Sequence, residues 1–574
     1  MLEKMCAMAQ SLKIRNFKKL FHDYVEAQKK AAGIIVADST TQFEGQELEL
    51  NCGQWQADEY GITKEGQFGE VEACNHPLLP VMRLVNIDTG VEKLKLAYRK
   101  GKQWRHIIAE KKTLASNNSI LDLANVGIAV NSDNAKWMVQ YLHDVEALNY
   151  DDIPEKNSVS RLGWIHEEGF SPYVENLVYD GENSFKGLFD SVKASGNAQD
   201  WLKSACSVRN GSSIPARMIL AASFASVLVP IAEALSFFVH LWGSESGTGK
   251  TVALMLAASV WADPQAGQYI KTFNGTMVSL ELTAGFVNNL PLILDEFQML
   301  RNKKDFEQIV YMLAEGVGKG RGGKTGGVRE TPTWKNCILT SGEMPITNFM
   351  TGAGAFNRVV EIECTEKLFP DPMELLAVIR RNYGFAGRMF VEKLQEEGSS
   401  QRVKALYAKC YKEIVKSDTT EKQAMAGALL LAADELITEW IFKDGRQLKY
   451  DEISEYLHTK SEVDINERAY DYICETVAAN AQKFGGDAVE SWGRFSGDQV
   501  QIIRSIFEKI CEDGGYSSRA TLSWLMRKKL LEPSFKKDGK PIPTRQVKIG
   551  NTNVRCVVMT LQEDPDDNWY DDIG

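Results

Sequence analysis

The chain has 574 residues, 44% of them hydrophobic and 25% charged, with 66 basic residues against 77 acidic ones. These proportions belong to soluble globular protein and exclude wholesale disorder, collagen-like repeats and a disulfide scaffold; the length suits roughly three to five domains at ~100–200 residues each. The formal charge of −11 argues against a purely electrostatic nucleic-acid binder, although an average conceals where the charges sit.

Six segments are expected in chain order: a helical N-terminal stretch (1–45), a β-rich domain (46–197), an α/β core (198–370), a helical lid or linker (371–490), a winged-helix domain (491–562) and an acidic tail (563–574). The opening MLEKMCAMAQSLKIRNFKKLF lacks the uninterrupted apolar core and small-residue cleavage site of a secretory leader. Ten scattered cysteines with no CxxC read as reduced thiols, and Cys74 with His76 finds no second ligand pair at zinc spacing. A cytoplasmic protein is expected. In the β-rich stretch, LKLAYRKGKQWRHII alternates apolar and polar residues about Lys100-Gly101-Lys102, as a hairpin does. Met218 to Trp242 is long enough to span a bilayer, but Glu233 lies near its middle and a glycine-bearing loop follows directly. The expectation is a buried helix up to Val229, a break, and a buried strand Ser236–Trp242, with no membrane contact.

The core carries the clearest chemistry. In FFVHLWGSESGTGKTVALMLAASVW, from Phe237, an apolar strand enters a loop and Lys250-Thr251 opens an apolar helix. Gly243, Ser244, Ser246, Gly247, Thr248 and Gly249 form the loop, whose backbone N–H groups would cradle phosphates with the helix N-terminus adding its positive dipole end. Lys250 would reach the β/γ-phosphates of ATP and the Thr251 hydroxyl would ligate Mg²⁺. The strict pattern wants glycine at 244, where Ser244 stands. NNLPLILDEFQ then supplies a short apolar strand ending in Asp295-Glu296, 45 residues after Lys250. Asp295 would hold the metal, and Glu296 would orient and deprotonate the attacking water. CILTSGE ends a third strand in polar residues, with Thr340 or Ser341 in a sensing position. FNRVVEI carries Arg358 just ahead of a fourth strand, placed to stabilise charge on a neighbouring subunit's nucleotide or else to serve as an ordinary ion-paired arginine.

The stretches SRLGWIHEEGF (160–170), 239–261, 288–298, YMLAEGVGKGRGG (311–323), 337–343 and 356–362 together resemble the AAA+ branch of MCM-like and superfamily III replicative helicases. More closely, they resemble an uncharacterised-domain family of phages and mobile elements, often found beside or fused to primases. The resemblance covers roughly 160–365. It implies an AAA+ P-loop core, ATP and Mg²⁺ as cofactors, a hexameric motor on single-stranded or forked DNA, and a primase or other replication partner. Related helicases often have Asn where this chain has Gly342.

Two basic regions stand out. Seven of the twelve residues 316–327 are glycine, with Lys319, Arg321, Lys324 and Arg329 interleaved; in the related helicases a hairpin here grips the nucleic-acid backbone. From Arg519 to Arg555, ten Lys/Arg face only Glu532 and Asp538. Helices near 499–512 and 518–530, then two strands about Gly550-Asn551, make a winged helix, with Arg527, Lys528 and Lys529 as candidate DNA contacts. Winged helices also dock proteins. A DNA helicase or translocase is expected, against two alternatives: a non-unwinding initiator or loader ATPase, and a DNA-binding adaptor whose ATP is structural.

Overall fold

The computed structural model describes residues 17, 39–46, 48–66, 69–299, 303–322, 331–349, 353–485, 490–537, 539–550 and 552–561. Most of the N-terminal helical stretch and the acidic tail from 562 lie outside them. The chain divides into two compact units, one of residues up to 161 with 165–186, the other of 162–164 with 187 onwards.

The first unit holds a three-stranded antiparallel sheet of β1 (Trp55–Asp58), β2 (Gly61–Gly66) and β3 (Gly69–Cys74). A five-stranded mixed sheet contains β4 (Leu78–Asn86), β5 (Glu92–Lys100), β6 (Gln103–Glu110), β7 (Glu155–Val159) and β8 (Val178–Tyr179), in the order β8-β7-β4-β5-β6. The β5–β6 hairpin matches expectation: Lys100 pairs with Gln103 across Gly101-Lys102, and Gly101 takes the left-handed φ of 72° such a turn requires. The stretch is β-rich as expected, with one long helix the sequence reading did not include. α1 (Ala135–Leu148) runs through the centre, burying Met138, Tyr141, Leu142 and Val145, a helical stripe. Its Tyr141 donates to the Leu78 carbonyl (2.7 Å), and Trp55 Nε1 donates to its Asp144 (2.9 Å). The expected boundary at 197 is also late, since residues from 187 belong to the second unit.

The second unit is built on a parallel sheet. β9 (Phe237–Trp242), β10 (Lys271–Thr272), β11 (Leu292–Asp295), β12 (Cys337–Gly342) and β13 (Val359–Glu363) lie in the order β10-β11-β12-β9-β13. β9 and β12 are buried almost throughout, which is why they read as continuous apolar runs. α2 (Ala198–Gly211) and α3 (Ile214–Ala225) precede β9, and α4 (Lys250–Ser259) follows its loop. α3 is buried on every side, residues 215–225 throughout, so it reads as an apolar run interrupted by Arg217 and Ser223; Ser213 caps it with Pro215 in its first turn. The break before β9 falls at Glu233, whose φ is 55° and whose carboxylate pairs with Lys404 (2.6 Å). Among the described residues no helix is long and apolar enough to cross a membrane.

α5 (Met277–Val287) and α6 (Lys303–Glu315) flank β11 in sequence. The helical section contains α7 (Pro372–Ile379), α8 (Phe385–Leu394), α9 (Ser399–Ile414) and α10 (Glu421–Ile437). Buried Arg209 of α2 binds Asp434 of α10 (2.6 Å) and Asp444 (2.7 Å), tying the two elements together. Losing one partner of such a pair costs about 3–5 kcal/mol.

The C-terminal part has α11 (Ile465–Ala479), β14 (Gly493–Ser496), β15 (Gln499–Ile503), α12 (Arg504–Asp513), α13 (Ser518–Arg527), β16 (Arg545–Ile549) and β17 (Thr552–Thr560). The sheet order is β14-β15-β17-β16, and β16 and β17 form the expected hairpin, Ile549 pairing with Thr552. Two corrections follow. Residues 499–503 are a strand paired with β17, not the start of a helix. The boundary at 491 is wrong as well: Tyr470, Ile473 and Val477 of α11 share one core with Phe507, Trp524, Leu525 and Val557.

Candidate active site

Parallel register assembles the site. His240 of β9 lies opposite Thr340 of β12, Trp242 opposite Gly342, and Leu294 of β11 opposite Thr340. The loops leaving β9, β11 and β12 therefore emerge together at the carboxyl edge of the sheet, where ligands bind in open α/β folds.

The loop after β9 holds Gly243, Ser244, Ser246, Gly247, Thr248, Gly249, Lys250 and Thr251, with Ser244, Ser246, Gly247 and Thr251 exposed. Gly249, at φ 101°, is the N-cap of α4, and a Cβ there would also press on the Phe369 ring at 3.2 Å. Lys250 Nζ folds across the loop, donating to the carbonyls of Gly243 (2.8 Å) and Glu245 (3.0 Å) and to Thr248 Oγ1 (3.4 Å). The positive charge is thus held over the cradle by weak acceptors, which a phosphate would readily displace.

Asp295 ends β11 half-buried and Glu296 is exposed. One oxygen of Asp295, Oδ1, accepts from Ser341 Oγ and from the Glu296 N–H (3.0 Å). Asp295 Oδ2 accepts no hydrogen bond among the described residues. Glu296 has φ 58°, a left-handed conformation costing a non-glycine residue of order 1–3 kcal/mol and typical of functional turns. Of the two candidate sensing residues, Ser341 touches Asp295. Thr340 does not: buried His240 takes it (Nδ1 to Oγ1, 2.8 Å) while His240 Nε2 meets the Met344 carbonyl (3.0 Å). A carbonyl only accepts, so Nε2 carries the proton and Nδ1 accepts from Thr340. Burial pushes the His240 pKa down to about 4, with the Lys250 charge adding to it, so the ring is neutral. Its T-shaped contact with Phe297 braces the turn after Glu296. Sequence reasoning missed His240; the signal was a lone polar residue inside FFVHLW.

Arg358 stands elsewhere. It precedes β13, which runs parallel to β9, so it lies at the amino edge, about 16 Å of strand away from its own phosphate loop at ~3.3 Å per residue. It is 6% exposed, its guanidinium binds Glu315 at the end of α6 (2.5 Å) and lies 5.4 Å from the Tyr311 ring centre. Among the described residues its Nε and Nη1 find no acceptor. Burial alone would raise the Glu315 pKa, but the Arg358 guanidinium and the Tyr311 hydroxyl hold it below the ordinary value. Gln423 of α10 donates to the carbonyls of Asn357 (3.2 Å) and Val359 (2.8 Å), fixing the backbone on either side.

The glycine-rich segment begins at the same edge. Val317 bridges Thr333 antiparallel, Gly318 N donates to Pro332 (2.8 Å) and Trp334 N to Gly316 (2.9 Å), the base of a hairpin. A Cβ on Gly316 would come within 2.4 Å of the Trp334 carbonyl. Lys319 is exposed, whereas Arg321 is engaged: both its terminal nitrogens bind Glu281 of α5 (2.8 and 2.6 Å), itself fully buried. Lys324 and Arg329 lie outside the described residues. A cavity of about 680 Å³ beside the hairpin base is lined by Glu307, Tyr311, Glu315, Val317 and Lys319. In the C-terminal part, Arg527, Lys528 and Lys529 are all exposed at the end of α13.

Residues 48–333 match a family described as a domain of unknown function, DUF927, and residues 464–564 match the Cch helix turn helix domain. Among solved structures the chain is similar to "SCCmec type IV Cch - active helicase", at 18% identity over 88% of this chain and 97% of that one, with a TM-score of 0.64. It also aligns with "The A form apo structure of NrS-1 C terminal region-CTR", at 11% identity over 83% of this chain and 96% of that one, but the TM-score of 0.29 supports no argument. No curated protein sequence matches. The second matched segment starts at 464, where α11 joins the C-terminal core. One segment of the chain is thus similar to DUF927 and another to the Cch helix turn helix domain, and the fold is similar to that of Cch.

Proposed function

We propose that the chain is an AAA+ ATPase that drives a DNA helicase or translocase, assembled as a ring, most simply a hexamer, and working in the cytoplasm. The observation carrying this is the convergence of Lys250, Thr251, Asp295, Glu296 and Ser341 at one sheet edge while Arg358 stands at the other. Lys250 is set to exchange its loop carbonyls for the β/γ-phosphates of ATP. Thr251 Oγ and Asp295 Oδ2 would hold Mg²⁺, and the free Oδ2 fits that task. The bound ion would supply neutralisation of phosphate charge. Glu296 accepts the proton of the attacking water, and the Ser341–Asp295 hydrogen bond fixes the acid beside it. Arg358 lies far from its own loop, which suits a charge offered to a neighbouring subunit's nucleotide in a ring.

Similarity to a structure described as an active helicase supports unwinding. Lys319 and Arg321, with Lys324 and Arg329 further along, would hold single-stranded phosphates; Arg527, Lys528 and Lys529 would meet DNA at the helix-turn-helix domain, the part matching the Cch type. A primase or another replication protein is the fitting partner. Glu296→Gln tests the core: nucleotide binding should persist while turnover falls by roughly 10²–10⁴-fold, since a carboxamide cannot take the proton. Hydrolysis at the wild-type rate would overturn the assignment. Strand displacement on forked, 3′-tailed and 5′-tailed duplexes separates a helicase from an initiator or loader.

A further inference from the structure

The C-terminal part carries more positive charge than its own acids neutralise. Between Arg519 and Arg555, ten Lys/Arg stand against Glu532 and Asp538, and Arg545 takes Glu532 (2.5 Å). Arg519, Arg527, Lys548 and Arg555 pair with no carboxylate among the described residues, and all four are exposed.

Two surfaces hold these cations. On α13, Thr521, Leu522, Trp524 and Leu525 are buried, while Arg519, Ala520, Ser523 and Arg527 are exposed. Arg519, Ser523 and Arg527 recur every four residues, a single helical stripe. Ser523 Oγ donates to the Arg519 carbonyl one turn back (3.0 Å), and with Ala520 it leaves the space between the two arginines without bulk. The second surface is the β16–β17 hairpin. Gln546 lies opposite Arg555 and Lys548 opposite Asn553, so these four share one face, and all are exposed. Alternation along β17 carries that face on from Asn553 and Arg555 to Val557 and Met559. Val557 and Met559 lie in one core with Leu522, Trp524 and Leu525 of α13, whereas Val547, Cys556 and Val558 cluster apart, on the opposite face. The sheet therefore runs out from under α13 on the helix's own side, and its uncovered end presents Lys548 and Arg555.

Neither surface offers an aromatic face on which unstacked bases could rest. Arginine, asparagine, glutamine and serine are instead the side chains that pair with base edges in a groove, and the major groove, about 12 Å wide, admits a helix. We propose that these two surfaces hold duplex DNA: the Arg519–Ser523–Arg527 stripe of α13 enters the major groove, and Lys548 and Arg555 of the hairpin take backbone phosphates beside it. Resting on the reading that DNA is the substrate, this gives duplex and single strand different parts of the chain.

The test uses the full chain with two labelled probes, a blunt duplex and an oligo-dT, followed by fluorescence anisotropy across a salt series. The double variant Lys548→Gln, Arg555→Gln should weaken duplex binding by roughly tenfold or more at low salt and leave oligo-dT binding unchanged. It should also flatten the dependence of log K on log salt for the duplex by ~0.9 for each lost contact, about 1.8 in all. Ser523→Phe should weaken duplex binding by roughly fivefold or more with the slope unchanged, because it obstructs the groove-facing stripe and removes no charge. Ser523→Ala should bind as the wild type does. Unaltered thermal melts establish that the variants fold. If the double variant binds duplex with wild-type affinity and slope, or loses oligo-dT to the same degree, the duplex assignment is wrong. It is equally wrong if the wild-type chain binds oligo-dT but no duplex, and the motor reading then stands. If the wild-type chain binds neither probe, both fall.

Discussion

The two edges of the parallel sheet are built on opposite principles. At the carboxyl edge, residues from three consecutive strands meet because register leaves them no alternative, and Lys250 rests on neutral carbonyls that a phosphate easily displaces. At the amino edge, charged groups pair with one another, Arg321 with Glu281 through both terminal nitrogens and Arg358 with Glu315 through one. Under the proposed function the carboxyl edge would need only ligand to complete it, whereas the amino edge would first have to open ion pairs within its own chain.

The largest test of this contrast removes both ends of the catalytic path. Lys250→Ala should abolish ATP turnover, and Arg358→Ala should lower it by about 10³-fold or more. Mixing the two variants should restore part of the rate, since a mixed interface unites an intact arginine with an intact phosphate loop. Absence of rescue under proven subunit exchange would make Arg358 structural, a brace for Glu315 and the end of α6.

Next comes the histidine behind the carboxyl edge. His240 is buried and neutral with its pKa near 4, against an ordinary 6.5. A group depressed in the folded state binds fewer protons there, so its contribution is complete above about pH 6.5 and is lost as pH falls through 4. The span corresponds to about 3 kcal/mol. Urea melts at pH 7 and pH 4.5 should show this acid loss in the wild type and a flatter profile in His240→Gln. Equal acid sensitivity would place the titrating group elsewhere.

At the amino edge, Lys319→Ala with Arg321→Ala should flatten the salt dependence of single-strand binding by up to about 0.7 per lost contact and halt unwinding, with basal ATPase largely kept. Glu281→Gln should move affinity the other way, because Arg321 no longer has a buried carboxylate to prefer over DNA. If Glu281→Gln instead weakens binding, the pair positions the hairpin rather than competing for it. The smallest effect is expected from deleting 464–574, which should impair loading yet leave unwinding of pre-tailed substrates. The cut belongs at 464, because a later one strands the apolar face of α11.

Much of the carboxyl edge was legible because it is local. The apolar strands, the glycine-bearing loop and the acid pair are contiguous motifs, and their structure follows from burial period and turn chemistry. The ends of the helix-turn-helix domain were less legible, since α11 looks like any amphipathic helix until Trp524 and Val557 are seen packed against it. α1 was overlooked for the opposite reason: its stripe is plain, but strands on both sides set the expectation for the stretch.

What the sequence determined by itself was a phosphate loop, an acid-tipped strand and the excess of cations in two separate stretches, for these depend on residue type and spacing along the chain. Tertiary structure alone decided that Ser341 and not Thr340 touches Asp295, and that Arg358 faces away from its own loop. It also decided that Arg321 is held by a carboxylate 40 positions earlier. Each is a contact between strands or helices distant in sequence, set by parallel register and by which carboxylate is buried within reach. Spacing along a chain does not encode either.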